Sequence, residues 1–496
     1  MWGGGFKSHV QHYVNTIEHN YIQMENVPNI LLIETNTTHF NEATPIYPIG
    51  LDYLQGALRK VGFTNAQIFD LRETVGNLIT FNEREAKSLA AIAQKVRETE
   101  WDIIGIGIRN IDSTCSPQVN RPEVDYFLPQ IRTYVDCIQA ANDHRAHIIL
   151  GGSGFSMMPY EIRDYLDGDY YGLIGYAEVA LPQLITDLLD NKPRERVYSG
   201  GPEIKIGKLQ NIDLLEKYKH LSQNISAVGM RTKNGCGQHC GYCPYPSISG
   251  SKVITKDIDD VIDEVHTLRK TGFSSFMFVD DVFNVPLWHA KDILKAMVST
   301  KEIPENWHAY LNPKDIDEEL LELVVETNGW SCYPNIGWPQ QRAIIFPFSI
   351  ESGCNRILKN IGKDYTTEDI MKSLAAFDSV KRRYRQGAGI AFSTVFYLLV
   401  GYLGEDEESV RESCQFVNEI LPDWLSIQIG VRVYLHTPLA QRTRGILWHE
   451  PKDLLAPVFV PFDKAEIRNW LVKYLYPKYR IIDEVGNVIH FSRREV

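Results

Sequence analysis

Three cysteines, Cys236, Cys240 and Cys243, fall in the stretch Asn234–Pro244 (NGCGQHCGYCP) with the spacing C-x3-C-x2-C. Thiolates this close can share one metal centre, and thiolates suit either zinc or iron–sulfur clusters. A structural zinc site needs a fourth thiolate or imidazole at ligand spacing, and no second CxxC or HxxxH follows. His239 lies between two of the cysteines, and its place is more easily filled by a loop side chain. Three ligands without a fourth leave one iron of a 4Fe–4S cluster open to a small molecule, which favours the cluster. A zinc-stabilised binding protein without catalysis stands as the alternative from another class. The remaining cysteines, Cys115, Cys137, Cys332, Cys354 and Cys414, are scattered and read as small buried hydrophobes. They form no disulfide framework, so a reducing, cytoplasmic setting is expected.

The elements that position this loop read as two strand–helix series. In residues 1–190, apolar runs at Asn29–Glu34, Ala66–Asp70, Asp102–Ile108, His147–Leu150 and Tyr171–Ile174 alternate with helical stretches such as Gly50–Val61. Short β-branched runs separated by helices predict a parallel, doubly wound, Rossmann-like sheet. Ligands bind such sheets beyond the carboxyl ends of the strands. Three turns sit there: Arg109–Asp112 (RNID), Gly151–Gly154 (GGSG) and Gly175–Glu178 (GYAE). Residues 191–224 are polar, with glycines and prolines, and read as a connecting segment.

A second series spans 225–440, with strands expected at Ile225–Met230, Ser275–Val279, Trp307–Leu311, Ala343–Ile350, Gly389–Val400 and Trp424–Val433. Six βα units make a partial (β/α)6 barrel rather than a closed eight-fold one. The cysteines lie just after its first strand. Residues 441–496 form a C-terminal extension whose apolar segments, Leu454–Phe459 and Trp470–Tyr474, predict packing on the core.

A C-x3-C-x2-C loop in this position, with Tyr242 before the last cysteine, resembles the radical S-adenosylmethionine (SAM) superfamily. The resemblance implies a 4Fe–4S cluster on Cys236, Cys240 and Cys243, its open iron chelating the amino and carboxylate groups of SAM, and reductive cleavage to a 5′-deoxyadenosyl radical. It further implies Tyr242 near the adenine, Asp280 and Asp281 of FVDDVFN near the SAM amine, and Glu351 of SIESG, followed by Lys363, near the ribose. Val400–Glu405 (VGYLGE) and Val431–Leu439 match later strand ends of the same barrel.

Pro45–Leu54, Gly151–Ser156 (GGSGFS), Ile174–Glu178 and Tyr245–Gly250, with Leu454–Phe459 in the tail, resemble the cobalamin-binding group of that superfamily over nearly the whole chain. The resemblance implies a corrin at the carboxyl ends of the Rossmann-like strands, near Arg109, Gly151, Gly152, Ser153, Gly154, Gly175 and Glu178. Glycines there would let backbone approach the ring closely. The D-x-H-x-x-G signature of histidine ligation to cobalt is absent: Glu34–Pro45 reads ETNTTHFNEATP, and His39 lacks the spacing.

The function this implies is methylation of an unactivated carbon of a small natural-product intermediate, through methylcobalamin and a deoxyadenosyl radical. An external donor of flavodoxin or ferredoxin type would supply electrons. Cyclisation, rearrangement or transfer of another SAM-derived group with the same cofactors stays open. The net charge of −12 argues against broad binding to nucleic-acid phosphates. The absence of a run of about 18 apolar residues predicts no membrane-spanning helix.

Overall fold

The computed structural model describes residues 27–35, 46–71, 81–112, 126–143, 145–200, 207–209, 211–221, 228–332, 342–387, 390–475, 478–485 and 487–494. The chain divides into two compact units, one mainly from residues before 212 and the other mainly from those after.

In the first unit, β1 (Ile30–Glu34), β2 (Ala66–Asp70), β3 (Ile103–Gly107), β4 (His147–Gly151), β5 (Tyr170–Ile174) and β6 (Val197–Ser199) form one sheet in the order β2-β1-β3-β4-β5-β6. Every pairing is parallel. Sheets of this kind are covered on both faces, so their strands are apolar throughout, and every residue of β1 is buried. The helices Ile49–Lys60 and Ala180–Leu189 bring Leu51, Leu58, Leu181 and Leu184 onto Ile30, Leu32, Ile103 and Ile149 in one core cluster. The order reverses between β1 and β3, which places the switch-point crevice at their carboxyl ends. The stretch 191–224, expected as a connection, instead supplies β6, which pairs with β5, and the helix Ile212–Tyr218. A three-residue strand is too short to show an apolar period among polar neighbours.

The GGSG turn follows β4. Gly152 has φ of 99°, and a Cβ there would collide with the carbonyl of Ile108. A Cβ on Gly154 would lie 3.0 Å from the same oxygen. The Gly154 amide donates to Ile108 O at 2.9 Å, and the Ser153 hydroxyl donates to Arg109 O at 2.7 Å. These glycines therefore let the turn after β4 lie against the turn after β3. Gly152→Ala is expected to cost about 1–3 kcal/mol in urea denaturation. Gly151→Ala, whose Cβ would meet Leu173 at an ordinary 3.7 Å, is expected to cost far less.

In the second unit, β7 (Gly229–Met230), β10 (Ser275–Phe278) and β11 (Asn306–Ala309) are parallel, as are β13 (Ala343–Glu351), β14 (Ala391–Val400) and β15 (Trp424–Ile429). Gly329 bridges to Trp307 in parallel, and the Ile345 amide donates to Trp330 O at 3.1 Å, which stitches the two triplets into one half-barrel. A short strand β12 (Ser331–Cys332) pairs antiparallel with β13, and β8 (Lys233–Asn234) pairs with β9 (Ile254–Thr255).

Alternation along β13 settles which side chains face inward. Ile344, Phe346, Phe348 and Ile350 are buried, and the rings of Phe346 and Phe348 lie 5.5 and 5.9 Å from Phe377 of the outer helix Thr367–Gly387. The intervening Ile345, Pro347, Ser349 and Glu351 face the concave side. The tail does more than pack on the barrel. Its hairpin of β16 (Tyr479–Val485) and β17 (Val488–Arg493) extends the sheet, with β17 antiparallel to β15. No helix among the described residues is long and apolar enough to cross a membrane.

Candidate active site

The cysteine loop leaves β8 through Gly235, whose φ of 80° brings its backbone against Lys252; a Cβ would collide with the Lys252 carbonyl. The Cys236 amide donates to Gly250 O at 3.0 Å and the Cys243 amide to Cys240 O at 3.1 Å. Gly241 pins the middle: its amide donates to Ile361 O at 2.6 Å, and its carbonyl accepts from the Leu439 amide at 2.8 Å. The Tyr402 hydroxyl fills the space a Cβ would need. Loop, helix end and later strand end thus hold one another at the mouth of the half-barrel.

Burial pushes the thiols upward, Cys236 to about 11, Cys243 to about 12, and Cys240 in the same direction. Each sulfur also faces one N–H donor: the Gln238 amide for Cys236, the Tyr245 amide for Cys243 and the Lys363 ammonium for Cys240. Cys243 senses the charge of both other cysteines, so the three thiols share one locale. A zinc ion needs its donors within about 2.3 Å of a single point. A 4Fe–4S cluster takes each thiolate on a different iron.

Beside the loop lies a buried triad. The Tyr242 hydroxyl donates to Glu351 Oε1 at 3.0 Å, and Lys363 Nζ donates to the same oxygen at 3.1 Å and to Tyr242 Oη at 3.3 Å. Glu351 closes β13 with φ of 62°, at a register shift after Ser349 that turns its carboxylate toward the mouth. The helix Asn355–Ile361 ends at Gly362 (φ 83°), which returns the chain so that Lys363 reaches back. Burial pulls Lys363 downward, but Glu351, Tyr242, Tyr365 and Cys240 together outweigh it and hold the ammonium well above its usual range. Burial, and then Glu351, pushes the Tyr242 phenol up. Glu351 is therefore a charge-balanced group fixed beside Tyr242, and its lysine partner is buried, not on the surface. Lys363→Met, which leaves Glu351 without its counter-charge, is expected to cost about 3 kcal/mol in thermal unfolding. The double variant Lys363→Met/Glu351→Gln is expected to recover most of that.

The paired acids after β10 separate. Asp280 spends its carboxylate on the turn after β7, accepting from the Thr232 amide (2.8 Å) and hydroxyl (2.5 Å) and from the Lys233 amide (3.2 Å). It positions the approach to the cysteine loop. Asp281 accepts from the Ser249 hydroxyl at 2.9 Å and is pushed up by burial; it is the acid that keeps a place at the mouth.

Among the cobalamin-side residues, Arg109 is exposed, Gly175 has φ of 73°, and Glu178 is half-buried. The Gly175 amide donates to the Ser156 hydroxyl at 3.0 Å, joining the turns after β4 and β5. His39 lies outside the described residues. Asp112 of the RNID turn, expected at the ligand crevice, is instead taken up by Arg432, whose Nε and Nη2 donate to Oδ2 at 3.0 and 2.9 Å, and by the Tyr434 hydroxyl at 2.9 Å.

The VGYLGE loop after β14 carries a titrating acid. Glu405 accepts from the Gly401 amide at 2.7 Å, and burial pushes its carboxyl up to about 7. The folded state therefore holds this proton more tightly than the unfolded chain. Its stabilising contribution is complete below the ordinary carboxylate range and is lost as pH rises to about 7. Glu405→Gln is expected to flatten the unfolding free energy over that window.

Three inward-facing side chains were not singled out from sequence: His308 and Tyr310 at and just beyond β11, and Tyr397 on β14. The period-two spacing of His308 and Tyr310 around the buried Ala309 was the available signal.

Residues 230–417 match the model of the radical SAM superfamily. Tryptophan 2-C-methyltransferase of Streptomyces laurentii is 21% identical over 83% of this chain and 74% of its own length. Cytidylyl-2-hydroxyethylphosphonate methyltransferase of Streptomyces wedmorensis is 27% identical over 79% and 77%. The structure of TsrM, a radical SAM methyltransferase from Kitasatospora setae with cobalamin and a 4Fe–4S cluster bound, superposes with a TM-score of 0.65 at 20% identity, covering 85% of this chain and 79% of that one. With its cysteine loop at the mouth of a half-barrel and a doubly wound sheet in its other unit, this chain carries a radical SAM domain over residues 230–417 and shares the fold of the cobalamin-bound TsrM structure.

Proposed function

We propose that the chain is a cobalamin-dependent methyltransferase that places a methyl group on an unactivated carbon of a small natural-product intermediate. The observation that carries the reading is the cysteine loop, with one buried and two half-buried thiols, an N–H donor at each sulfur, and the Tyr242–Glu351–Lys363 triad beside it. When bound, the cluster and SAM supply a carbon-centred radical and the corrin supplies the methyl group, a division suited to a carbon too poor in electrons to attack SAM.

The chain's own residues provide the setting. Cys236, Cys240 and Cys243 would hold three irons as thiolates, which the N–H donors favour over thiols. Tyr242 and Glu351 would flank the nucleoside of SAM, with Lys363 holding the carboxylate in place. Asp281 would receive the SAM amine. The carboxyl ends of β1 and β3 to β5, with Arg109, the GGSG turn, Gly175 and Glu178, would receive the corrin without a histidine ligand. A flavodoxin or ferredoxin type protein would deliver electrons. The two Streptomyces relatives are named as methyltransferases of small molecules, which supports both the reaction class and the size of the substrate.

The test is turnover, under reduction, with SAM carrying a deuterated methyl group in extract of the producing cells. Release of both S-adenosylhomocysteine and 5′-deoxyadenosine, with label in a small-molecule product, is expected. Deoxyadenosine formed without S-adenosylhomocysteine would point to cyclisation or rearrangement instead.

A further inference from the structure

The concave face of the half-barrel carries large side chains that the core does not use. Tyr310 is 61% exposed and Tyr397 is 44% exposed. Each follows a buried residue that points to the outer layer, Ala309 (5% exposed) and Phe396 (0%), so alternation turns both phenols inward. The ring of Phe396 packs 5.7 Å from Phe348 on that outer side. The two phenols, on different strands, sense each other: burial and then Tyr310 push the Tyr397 hydroxyl up. Tyr397 lies in register with Ser349 on one side and Ser426 on the other, one step below the Glu351 bulge.

His308 pairs in register with Met277 and stacks on Trp330 with ring centroids 6.2 Å apart and an interplanar angle of 18°. Burial pushes its pKa down to about 4, so the imidazole is neutral at physiological pH. It presents one ring nitrogen as donor and the other as acceptor.

We infer that Tyr310, Tyr397 and His308 form the substrate seat, and that it selects a flat, uncharged heteroaromatic ring. Phenol faces give contact area to a planar ring at little cost in side-chain entropy. Neutral hydroxyls and a neutral imidazole recognise N–H and C=O edges but offer an anion no counter-charge. The inference rests on the radical SAM reading above, because Tyr397 lies one register step from Glu351 of the Tyr242–Glu351–Lys363 triad.

The test uses the reconstituted full chain, with indole as the neutral planar probe and phenylphosphonate as its charged counterpart, each titrated by equilibrium dialysis. S-adenosylhomocysteine binding is measured beside them. Indole is expected to bind at least about tenfold tighter than phenylphosphonate. Tyr397→Leu and Tyr310→Leu, at exposed positions that do not support the core, are each expected to weaken indole by about tenfold through lost ring stacking. Tyr397→Phe, which keeps the ring, is expected to retain most of the affinity. Indole affinity unchanged in both leucine variants, or phenylphosphonate bound as tightly as indole, would overturn the inference. Loss of S-adenosylhomocysteine binding in every form, wild type included, would instead count against the radical SAM reading and leave the indole comparison to decide the seat.

Discussion

Cys240→Ala protein, reconstituted without oxygen, is expected to hold no 4Fe–4S cluster and to cleave SAM only at background. The loop supplies three thiolates and no fourth, so removing one leaves two ligands for a cluster that already has one open iron. The neighbourhood cannot substitute for it. Lys363, which faces the Cys240 sulfur, is a cation with donors only, and Tyr242 and Glu351 are engaged with it. Cys240→Ser is the sharper variant, because it keeps shape and hydrogen bonding while replacing a soft ligand by a hard one. Iron content and deoxyadenosine release report the outcome. An Ala variant that retains full iron would move the cluster to other residues.

Arg432→Ala is expected to be the most damaging substitution outside the loop, at about 3–5 kcal/mol of stability. The side chains of Arg432 and Asp112 are 2% and 0% exposed. Arg432 also donates from Nη2 to Leu454 O at 2.8 Å, so the truncation leaves a buried carboxylate and a carbonyl unmatched. Burial already raises the Asp112 pKa despite the guanidinium beside it. In the variant Asp112 rises further, and the folded state then binds its proton more tightly than the unfolded chain. The deficit is accordingly absent below the ordinary aspartate range and grows as pH rises above it. Urea denaturation across pH measures this, and Asp112→Asn/Arg432→Met is expected to remove most of the pH dependence.

What could be read from the sequence follows the distance over which each feature is encoded. The cysteine centre lies in a contiguous loop, and its chemistry depends on residue type and spacing, so it was legible at once. The strands β1 to β5, β10, β13, β14 and β15 were legible because buried parallel strands are runs rich in Ile, Val, Phe and Leu. Asp280 was expected near SAM from the family resemblance alone; its partners, Thr232 and Lys233, lie 48 and 47 residues away in sequence. The Asp112–Arg432 pair spans 320 residues and has no local signature. The packing of Gly152 and Gly154 against the turn after β3 had no local signature in the sequence. The C-terminal hairpin had a local signal, alternating apolar residues on both sides of Gly486–Asn487, that reading the tail as an extension passed over. The inward face was hidden for a different reason: tyrosine and histidine in a strand read as packing until the register shows which side they face.

The most direct test is a metal count. The protein would be purified and reconstituted without oxygen with iron, sulfide and hydroxocobalamin, and iron, cobalt and zinc measured per chain beside the visible spectrum. About four irons and one cobalt are expected, with the iron lost in the Cys236→Ala/Cys240→Ala/Cys243→Ala variant and the cobalt retained. Stoichiometric zinc with no iron would contradict the account, and iron with no cobalt would remove the methyl-transfer chemistry from it.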